Sequence, residues 1–282
     1  MPSVTFSPGS SSAPRRTDGD DLHRVAGAAP AVSFSPNGRR PRAPGAPARV
    51  QRLSIIMCVY NERTSVLPVL ERVRQVRPVG VWETEIIVVD NCSTDGTREL
   101  LQSLDAPDVR VIYHERNMGK GASVRAGFRE ATGEYAVIQD ADFEYDPADL
   151  TRFMAKATET NADAVFGSRT LGGRAIYKYR KNYFGVRGLT LITNLLYGGR
   201  LTDVAVGTKM VKRSVFHALR LRGSAFDLDF ELPCKLLKHG YTIVEIPISY
   251  RPRTVEEGKK IRVMRDGLHA LWVILRERLT RS

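Results

Sequence analysis

Residues 134–147 of the chain read Glu-Tyr-Ala-Val-Ile-Gln-Asp-Ala-Asp-Phe-Glu-Tyr-Asp-Pro, an apolar run that leads directly into acidic side chains. Positions 135–138 predict a buried strand, and a buried strand cannot hold unpaired carboxylates. We therefore expect Asp140, Asp142 and Glu144 to follow the strand at its carboxyl end. Open α/β sheets bind their ligands at that end, so these residues predict a functional site.

Paired carboxylates at a strand end suit a hard divalent cation that is shared between the protein and the phosphates of a substrate. Mg²⁺ or Mn²⁺ held in this way would neutralise a diphosphate and help it to leave. A solvated acidic turn is the alternative, because Asp146-Pro147 favours a turn. The Asp-x-Asp spacing is common by chance, and its place after a strand in a β-α-β-α-β series is what favours the metal site.

Strand-like and helix-like segments alternate along the rest of the chain. Further apolar runs that predict strands lie at 53–59, 85–90, 109–113, 164–169 and 241–247. This alternation predicts the α/β class, with a doubly wound, mainly parallel sheet, flanking helices and right-handed crossovers. Polar residues follow successive strands, so we expect them to meet at one edge of the sheet, where a nucleotide would bind.

Composition divides the chain into three predicted parts. Residues 1–50 hold more than half of the 15 prolines and few aliphatic residues, and such a segment cannot bury enough apolar surface to offset its ordering entropy. We expect it to be a disordered, basic tail rich in Pro, Ser and Gly. Residues 51–262 form the folded domain. Residues 263–282 predict an amphipathic C-terminal helix that either covers the sheet or lies in a membrane interface.

The formal net charge of +12 predicts an anionic partner, which could be a nucleotide, a phospholipid surface or a nucleic acid. Three widely separated cysteines indicate reduced thiols and a cytoplasmic location. No apolar run reaches the length of about 18 residues that a membrane span requires. The sequence lacks the complete motifs of P-loop NTPases, dinucleotide-binding enzymes and serine hydrolases.

Several motifs, taken in their order and spacing, resemble the family 2 nucleotide-sugar glycosyltransferases with the GT-A fold. Within that family the chain looks most similar to the dolichyl- or polyprenyl-phosphate hexosyltransferases. The motifs are Tyr60-Asn-Glu62, the segments 89–96 and 117–121, Asp140-Ala-Asp142, Gly167-Ser-Arg169, and Arg253 with Glu257-Gly-Lys-Lys260. The resemblance covers roughly residues 53–270.

The resemblance implies a role for each matching residue. The donor nucleotide would be held by Tyr60, Glu62, Asp90, Asn91, Lys120 and Asp140, and the metal by Asp142 and Glu144. Asn91 stands where the family usually has a second Asp, and Glu144 where dolichyl-phosphate mannosyl enzymes commonly have Gln. An amide both donates and accepts hydrogen bonds, so the base and the sugar of the donor stay open.

The expected chemistry depends on the acceptor. A lipid phosphate is already ionised and needs no strong general base, and Arg169, Arg180, Arg253 and Lys260 would hold it and offset charge repulsion with the donor. A hydroxyl acceptor needs a base, for which Asp229 or Glu231 is the candidate, alongside Asp142 and Arg169 as catalytic residues. Helix capping and dipole compensation are the alternative roles of Asp229 and Glu231.

The sequence therefore supports three hypotheses for the function. The leading hypothesis is a metal-dependent, inverting glycosyltransferase that moves a hexose from a GDP- or UDP-linked donor to a polyprenyl phosphate, as a cytoplasmic enzyme that contacts the inner membrane leaflet. The second is a family 2 enzyme with a soluble hydroxyl or amine acceptor, such as a secondary metabolite. The third, a nucleic-acid-binding protein, leaves acids at successive strand ends unexplained, because they repel phosphates. The oligomeric state stays open.

The metal assignment makes a direct prediction for Asp142→Asn. The substitution keeps the size of the side chain but removes the carboxylate that binds the ion, so turnover should be almost abolished while the fold survives. Activity against divalent-metal concentration and circular dichroism measure the two effects. Unchanged activity in the variant, or full activity of the wild-type protein in EDTA, would contradict the assignment.

Overall fold

The computed structural model describes residues 33–34, 51–78, 80, 82–171, 180–253 and 263–280. Its strands are β1 (Ser33–Phe34), β2 (Gln51–Val59), β3 (Trp82–Asp90), β4 (Val109–Tyr113), β5 (Tyr135–Asp140), β6 (Ala164–Ser168), β7 (Lys209–Lys212) and β8 (Ile243–Pro247). Its helices are α1 (Val66–Arg74), α2 (Thr97–Gln102), α3 (Lys120–Glu130), α4 (Leu150–Thr160), α5 (Arg180–Tyr197), α6 (Arg213–Ala218), α7 (Leu228–Lys238) and α8 (Val263–Leu279). The strands form one sheet in the order β1-β8-β6-β7-β5-β2-β3-β4.

Strands β4, β3, β2 and β5 are parallel neighbours, as the alternation of strands and helices predicts. The register of β2 places Val59 beside Asp90 on one side and Cys58 beside Asp140 on the other. The acidic ends of β3 and β5 therefore flank the end of β2. This arrangement confirms that the polar residues that end successive strands meet at one edge of the sheet.

Strand β7 is an inner strand of the sheet that the sequence did not predict. It lies antiparallel between β5 and β6. Its four residues, Lys-Met-Val-Lys, are too few to establish a period, and the terminal lysines conceal that Met210 and Val211 are fully buried. Strands β6 and β8 are again parallel. The sheet is mixed but mainly parallel, so the predicted α/β class is confirmed.

Apolar clusters cover both faces of the sheet. One lies against α1 and α4, and the other lies against α3, α6 and α7. In the second cluster the rings of Phe128 and Phe216 stack with centroids 3.5 Å apart. Helix α3 approaches β2 closely because Gly127 has no side chain; a Cβ atom there would lie 2.3 Å from Cγ2 of Ile56. This contact fixes the start of α3 near the acidic edge of the sheet.

Helix α8 begins at residue 263 and packs on α5 and α7. Ala270, Val273 and Ile274 are buried in that contact. The Tyr197 hydroxyl of α5 donates to the carbonyl of Ile274 at 2.7 Å, and the Lys238 ammonium of α7 donates to that of Glu277 at 2.8 Å. Within the described residues, no helix combines the length and the apolar character needed to cross a bilayer.

The predicted tail, residues 1–50, lies outside the described residues except for β1. Ser33 and Phe34 pair antiparallel with Val244 and Ile243 of β8. This pairing occupies the outer edge of β8, which an unpaired strand would otherwise present to other chains. The tail therefore stays a prediction, with two of its residues joined to the sheet.

Two truncations separate the tail from this edge strand. Removal of residues 1–30 should leave the melting temperature and the specific activity nearly unchanged, because the composition of that segment does not allow it to join a hydrophobic core. Removal of residues 1–50 also deletes β1 and should cost about 1 kcal/mol per lost hydrogen bond in the free energy of unfolding, with catalysis of a soluble donor retained. Chemical denaturation of both variants measures this difference. A large loss of stability on removing 1–30 would contradict the predicted tail.

Candidate active site

A cavity of about 370 Å³ opens at the carboxyl edge of the sheet, where β2, β3 and β5 end. Loops that follow β6 and β8, together with the first turns of α3 and α7, complete its wall. Most of the predicted site residues line it, namely Tyr60, Glu62, Asn91, Lys120, Asp140, Asp142, Glu144, Arg169, Asp229 and Arg253. The structure thus brings together side chains that are spread over nearly two hundred residues of sequence.

Four predicted site residues are not placed in the wall of this cavity. Asp90 and Glu231 are fully buried elsewhere. Arg180 begins α5, but its side chain lies outside the described residues, and so does the whole of Lys260. The roles of Arg180 and Lys260 in phosphate binding therefore stay predictions.

Asp90 organises the turn after β3. Its carboxylate accepts the Ser93 N–H at 3.2 Å and pairs with the Arg98 guanidinium at 2.7 Å. These contacts hold the Asp90 carboxylate on the turn. Its predicted contact with the donor nucleotide stays a prediction. Arg98, which the sequence did not single out, also donates to the carbonyl of His114 at 2.5 Å.

Asn91 is the member of this turn that borders the cavity. Its Oδ1 accepts the Met118 N–H at 2.8 Å, and its Nδ2 donates to Oδ1 of Asn117 at 2.8 Å. A backbone N–H can only donate, which fixes the orientation of the Asn91 amide. The amide therefore ties the end of β3 to the 117–119 loop and places Asn117 in the cavity wall, a residue that only the motif had indicated.

Arg253 is clamped between the acidic residues of the cavity. Its guanidinium lies 2.8 Å from Oδ2 of Asp142 and 2.9 Å from Oε2 of Glu62, and its backbone N–H donates to Oε1 of Glu144 at 2.8 Å. The sequence predicted an acceptor-phosphate role for Arg253. In the structure its side chain contacts Glu62, which is predicted to hold the donor nucleotide, and Asp142, which is predicted to hold the metal.

These carboxylates fit a divalent cation that is shared with substrate. Among the described residues no group of three His, Cys, Asp or Glu side chains converges as a complete metal site. Mg²⁺ is commonly bound by one or two carboxylates plus substrate phosphates, and oxygen ligands suit Mn²⁺ equally. The Arg253 guanidinium already lies between Asp142 and Glu62, so the negative charge of these carboxylates attracts a cation in this structure. Asp142 and Glu144 are the residues that would hold the metal.

Lys120 begins α3 and links two of the acids. Its ammonium lies 2.8 Å from Oδ1 of Asp140 and 3.7 Å from Oδ2 of Asp229. Burial alone would lower the pKa of Lys120, but the two carboxylates outweigh it and raise that pKa above its ordinary value. The site thus keeps a fixed positive charge next to the end of β5.

Two glycines allow α3 to begin here. A Cβ atom on Gly119 would lie 2.3 Å from the carbonyl oxygen of Ser224, and one on Gly121 would lie 2.7 Å from that of Gly223. Gly119 also has a φ of +86°, which strains other residues. Glu231 holds the opposing loop, since its carboxylate accepts the N–H groups of residues 222 and 223 and pairs with Lys235 at 2.7 Å. Glu231 is therefore a loop anchor, and Asp229 alone of the two predicted bases reaches the cavity.

Arg169 is supported by two acids to which the sequence assigned no role. Its Nε and Nη2 donate to Asp203 at 2.7 and 2.8 Å, and its ring partner is Tyr250, 5.1 Å from the guanidinium carbon. This pairing holds the pKa of the buried Asp203 below its usual range, against the effect of burial. Glu245 of β8 accepts the N–H groups of Thr202 and Asp203 at 2.7 and 3.1 Å.

Glu245 could have been noticed in the sequence, because an acid in an otherwise apolar strand needs a partner. It is 2% exposed, and burial raises its pKa to about 7 in spite of its two backbone donors. Its contacts position the Asp203 loop, and through that loop the guanidinium of Arg169. Glu245, Asp203 and Arg169 thus form a chain of contacts that leads from β8 to the cavity.

A second cavity, of about 740 Å³, adjoins the first. Its walls come from α5, α7 and α8 and are mainly apolar, with Val186, Leu189, Phe230, Leu268 and Ala270 among the lining residues. The residues that line both cavities are Arg169, Ala205, Ala225, Phe226, Asp229 and Tyr250. A polar chamber and an apolar chamber therefore meet at one guanidinium and one carboxylate.

Known proteins resemble this chain in sequence and in fold. The family model described as Glycosyl transferase family 2 matches residues 54–220. An undecaprenyl-phosphate mannosyltransferase of Micrococcus luteus is 31% identical over 81% of this chain and 99% of its own length. A polyprenol monophosphomannose synthase of Mycolicibacterium smegmatis is 29% identical over 74% of this chain and 81% of its own length. The structure of glucosyl-3-phosphoglycerate synthase of Mycobacterium tuberculosis with uridine diphosphate has a TM-score of 0.60 at 16% identity and covers 82% of each chain; it confirms the predicted fold.

The raised pKa of Glu245 predicts a pH dependence of stability. An acid whose folded pKa lies above its unfolded value makes the free energy of unfolding fall as pH rises from about 4.5 to above 7, here by up to about 3 kcal/mol. Denaturant unfolding at several pH values should show this fall in the wild-type protein. Glu245→Gln should flatten it, while the exposed control Glu83→Gln should keep the wild-type slope. The same slope in Glu245→Gln as in the wild type would contradict the assignment.

Proposed function

The chain belongs to glycosyl transferase family 2, and on that premise we propose that it transfers a hexose from a nucleotide-diphosphate sugar to a polyprenyl phosphate. The observation that carries the proposal is the meeting of a polar and an apolar cavity at Arg169 and Asp229. A lipid phosphate has one charged end and a long apolar chain, so it matches both chambers at once. The two mannosyl-transferring relatives, named for undecaprenyl phosphate and polyprenol, support the same acceptor class.

The donor fits the polar cavity. Tyr60 and Asn91 border the side of the cavity near β2 and β3, where we place the base, and Asp140 ends β5, where we place the ribose. The diphosphate would then lie towards Asp142 and the basic residues that face it. When bound, Mg²⁺ or Mn²⁺ would neutralise the charge of the departing diphosphate. The donor is a GDP- or UDP-linked hexose.

The Arg253 guanidinium must release at least one of its carboxylate partners when a donor binds. The guanidinium pairs with Asp142 and Glu62, and a diphosphate offers oxygen atoms that compete for the same donors. The side chain can then contact the diphosphate while its backbone N–H stays on Glu144. We therefore place Arg253 with the donor diphosphate.

The transfer itself needs little proton chemistry when the acceptor is a phosphate. An ionised phosphate oxygen attacks the anomeric carbon, a carbon–oxygen bond to the acceptor forms, and the bond to the nucleoside diphosphate breaks. One displacement of this kind inverts the anomeric centre. Arg169, which Asp203 fixes in place, supplies positive charge at the junction of the cavities and lowers the repulsion between the two anions.

A soluble hydroxyl acceptor is the second candidate, and one observation favours it. Asp229 lines both cavities, and a carboxylate at this junction would serve as the general base that a hydroxyl acceptor needs. The ammonium groups of Lys120 and Lys209 lie 3.7 and 3.8 Å from its two carboxylate oxygen atoms. The large apolar chamber next to it favours the lipid acceptor instead.

Helices α5 and α8 also present an apolar outer surface, which we call the interface face. Its exposed side chains are Phe184, Leu191, Leu195, Leu268, Trp272, Leu275 and Leu279. Arg276 lies over the Trp272 ring at 4.8 Å, a pairing of aromatic and basic groups that suits the headgroup region. Since the same helices line the apolar cavity, we propose that this face rests on the inner leaflet and admits the lipid from it.

An acceptor competition tests the function. Purified protein is incubated with UDP- or GDP-linked hexoses, Mn²⁺ or Mg²⁺, and a short polyprenyl phosphate, with the matching polyprenol as control. We expect glycosylation of the phosphate but not of the alcohol, and a rise in melting temperature with the correct donor that corresponds to about 2.7 kcal/mol at a hundredfold excess over Kd. Transfer only to soluble hydroxyl compounds would replace the proposed acceptor.

The interface face makes a separate prediction. Trp272→Ser and Leu275→Ser each remove a large exposed apolar side chain, worth about 1.5–3 kcal/mol when buried in lipid, so each should weaken binding to anionic vesicles about tenfold or more. Vesicle co-sedimentation measures the binding. The rate of donor hydrolysis in vesicle-free buffer should stay at the wild-type value as the internal control. Equal vesicle binding by wild type and both variants would contradict the proposed face.

A further inference from the structure

Lys209 is a charged residue in the middle of the sheet. It begins β7, its side chain is 0% exposed, and its strand partner on β6 is Phe166, whose ring centroid lies 5.5 Å from the ammonium. A buried ammonium costs several kcal/mol unless polar partners replace its water. An apolar side chain would fill this position in the sheet without that cost, so a charged side chain here indicates a specific role.

The partners of Lys209 lie in the cavity wall or directly next to it: Asp229 lines the cavity, and Val206 lies between Ala205 and Gly207, which also line it. Its ammonium donates to the carbonyl of Val206, in the loop before β7, and to the carbonyl of Asp229 at 3.1 Å, in the first turn of α7. It also lies 3.8 Å from Oδ1 of the Asp229 carboxylate. One buried group thus joins the centre of the sheet to the main chain and the side chain of the residue at the junction of the two cavities.

These contacts extend into a row of alternating charges. Oδ2 of Asp229 lies 3.7 Å from the Lys120 ammonium, which in turn lies 2.8 Å from Oδ1 of Asp140. The row therefore runs Asp140, Lys120, Asp229, Lys209, and only its last member is completely shielded from water. A charge with no water around it has few alternative partners, so it determines where the others lie.

We propose that Lys209 is a positioning residue for transfer: it holds Asp229, and through Asp229 the ammonium of Lys120, at the point where donor and acceptor meet. This proposal rests on the proposed function only in the identity of the acceptor, because Asp140, Lys120 and Asp229 line the polar cavity whichever acceptor is used. Lys209 touches no substrate in this arrangement. Its effect on turnover passes through Asp229.

The charge of Lys209 is itself sensitive to pH. Burial lowers its pKa to about 8, and the neighbouring cations Lys120 and Arg169 act in the same direction, while Asp229 and Asp203 oppose it. These groups come from α7, α3, the segment after β6 and the loop before β7, so they surround the ammonium. Above pH 8 the row loses its terminal charge, and the hold on Asp229 weakens.

A double-mutant cycle tests the proposal on the full chain. Lys209→Met keeps the length of the side chain and removes the charge, and it should lower kcat about ten- to hundredfold with little change in the KM for the donor. Asp229→Asn should lower kcat as well. Because Lys209 acts through Asp229, the double variant should be hardly slower than Asp229→Asn alone. Losses that multiply in the double variant would overturn the proposal.

Lys212 provides the matched control on the same strand. Its ammonium donates to the carbonyl of Asn161 at 2.8 Å, away from both cavities. Lys212→Met should therefore keep the wild-type kcat and the wild-type pH profile, even where it lowers the melting temperature. A loss of kcat in Lys212→Met equal to that in Lys209→Met would show that charge removal from β7 has only a structural effect.

A pH profile remains informative should Lys209→Met not fold. The wild-type kcat should fall above about pH 8. Lys209→Arg keeps its charge at that pH, so it should retain at least a tenth of the wild-type kcat and should not show this fall. A wild-type kcat that is constant from pH 7 to 9 would overturn the proposal. All rates are measured both as donor hydrolysis by water and as transfer to the polyprenyl phosphate, so a wild-type enzyme that hydrolyses but does not transfer refutes the acceptor and leaves the test of Lys209 intact.

Discussion

Carboxylates crowd the carboxyl edge of this sheet, and they are tolerated there because basic side chains lie against them. Asp140 lies 2.8 Å from Lys120, Asp142 lies 2.8 Å from Arg253, and Asp203 lies 2.7 Å from Arg169. Without these cations the acids would lose hydration with no compensation and would repel one another. The open cavity, the placement of the loops around it and the chemistry of transfer all depend on this pairing.

The same pairing prepares the site for an anionic donor. A nucleotide-diphosphate sugar brings negative charge into a cavity whose cations already have acidic partners. In the proposed function, the phosphates and their metal would take the place of some protein carboxylates on the basic groups. Arg253 is the residue that would change partners most readily in this exchange. Asp203 holds Arg169 in place, and main-chain carbonyls hold Lys209.

A second group of acids holds loops rather than ligands. Asp90 accepts the N–H of Ser93, Glu231 accepts those of residues 222 and 223, and Glu245 accepts those of residues 202 and 203. Buried backbone N–H groups in such turns need acceptors, and a carboxylate satisfies two at once. In the sequence these acids look like those that line the cavity. The contacts of their neighbours, which sequence spacing does not carry, separate the two groups.

The sequence alone determined the α/β class, the strands from β2 to β6 and the last strand, the acidic edge and the charged residues that line the polar cavity. Apolar period and strand-end position are local properties of the chain, which is why the sequence carries them. Only the tertiary structure decided that β7 inserts antiparallel into the sheet, that Asp203 and Glu245 support Arg169, that Lys209 reaches Asp229, and that α5, α7 and α8 enclose an apolar chamber. Each of these depends on the order of strands in the sheet and on partners from separate elements. No local pattern encodes that order, since it is set by which packing buries the most apolar surface while leaving each buried charge with a partner.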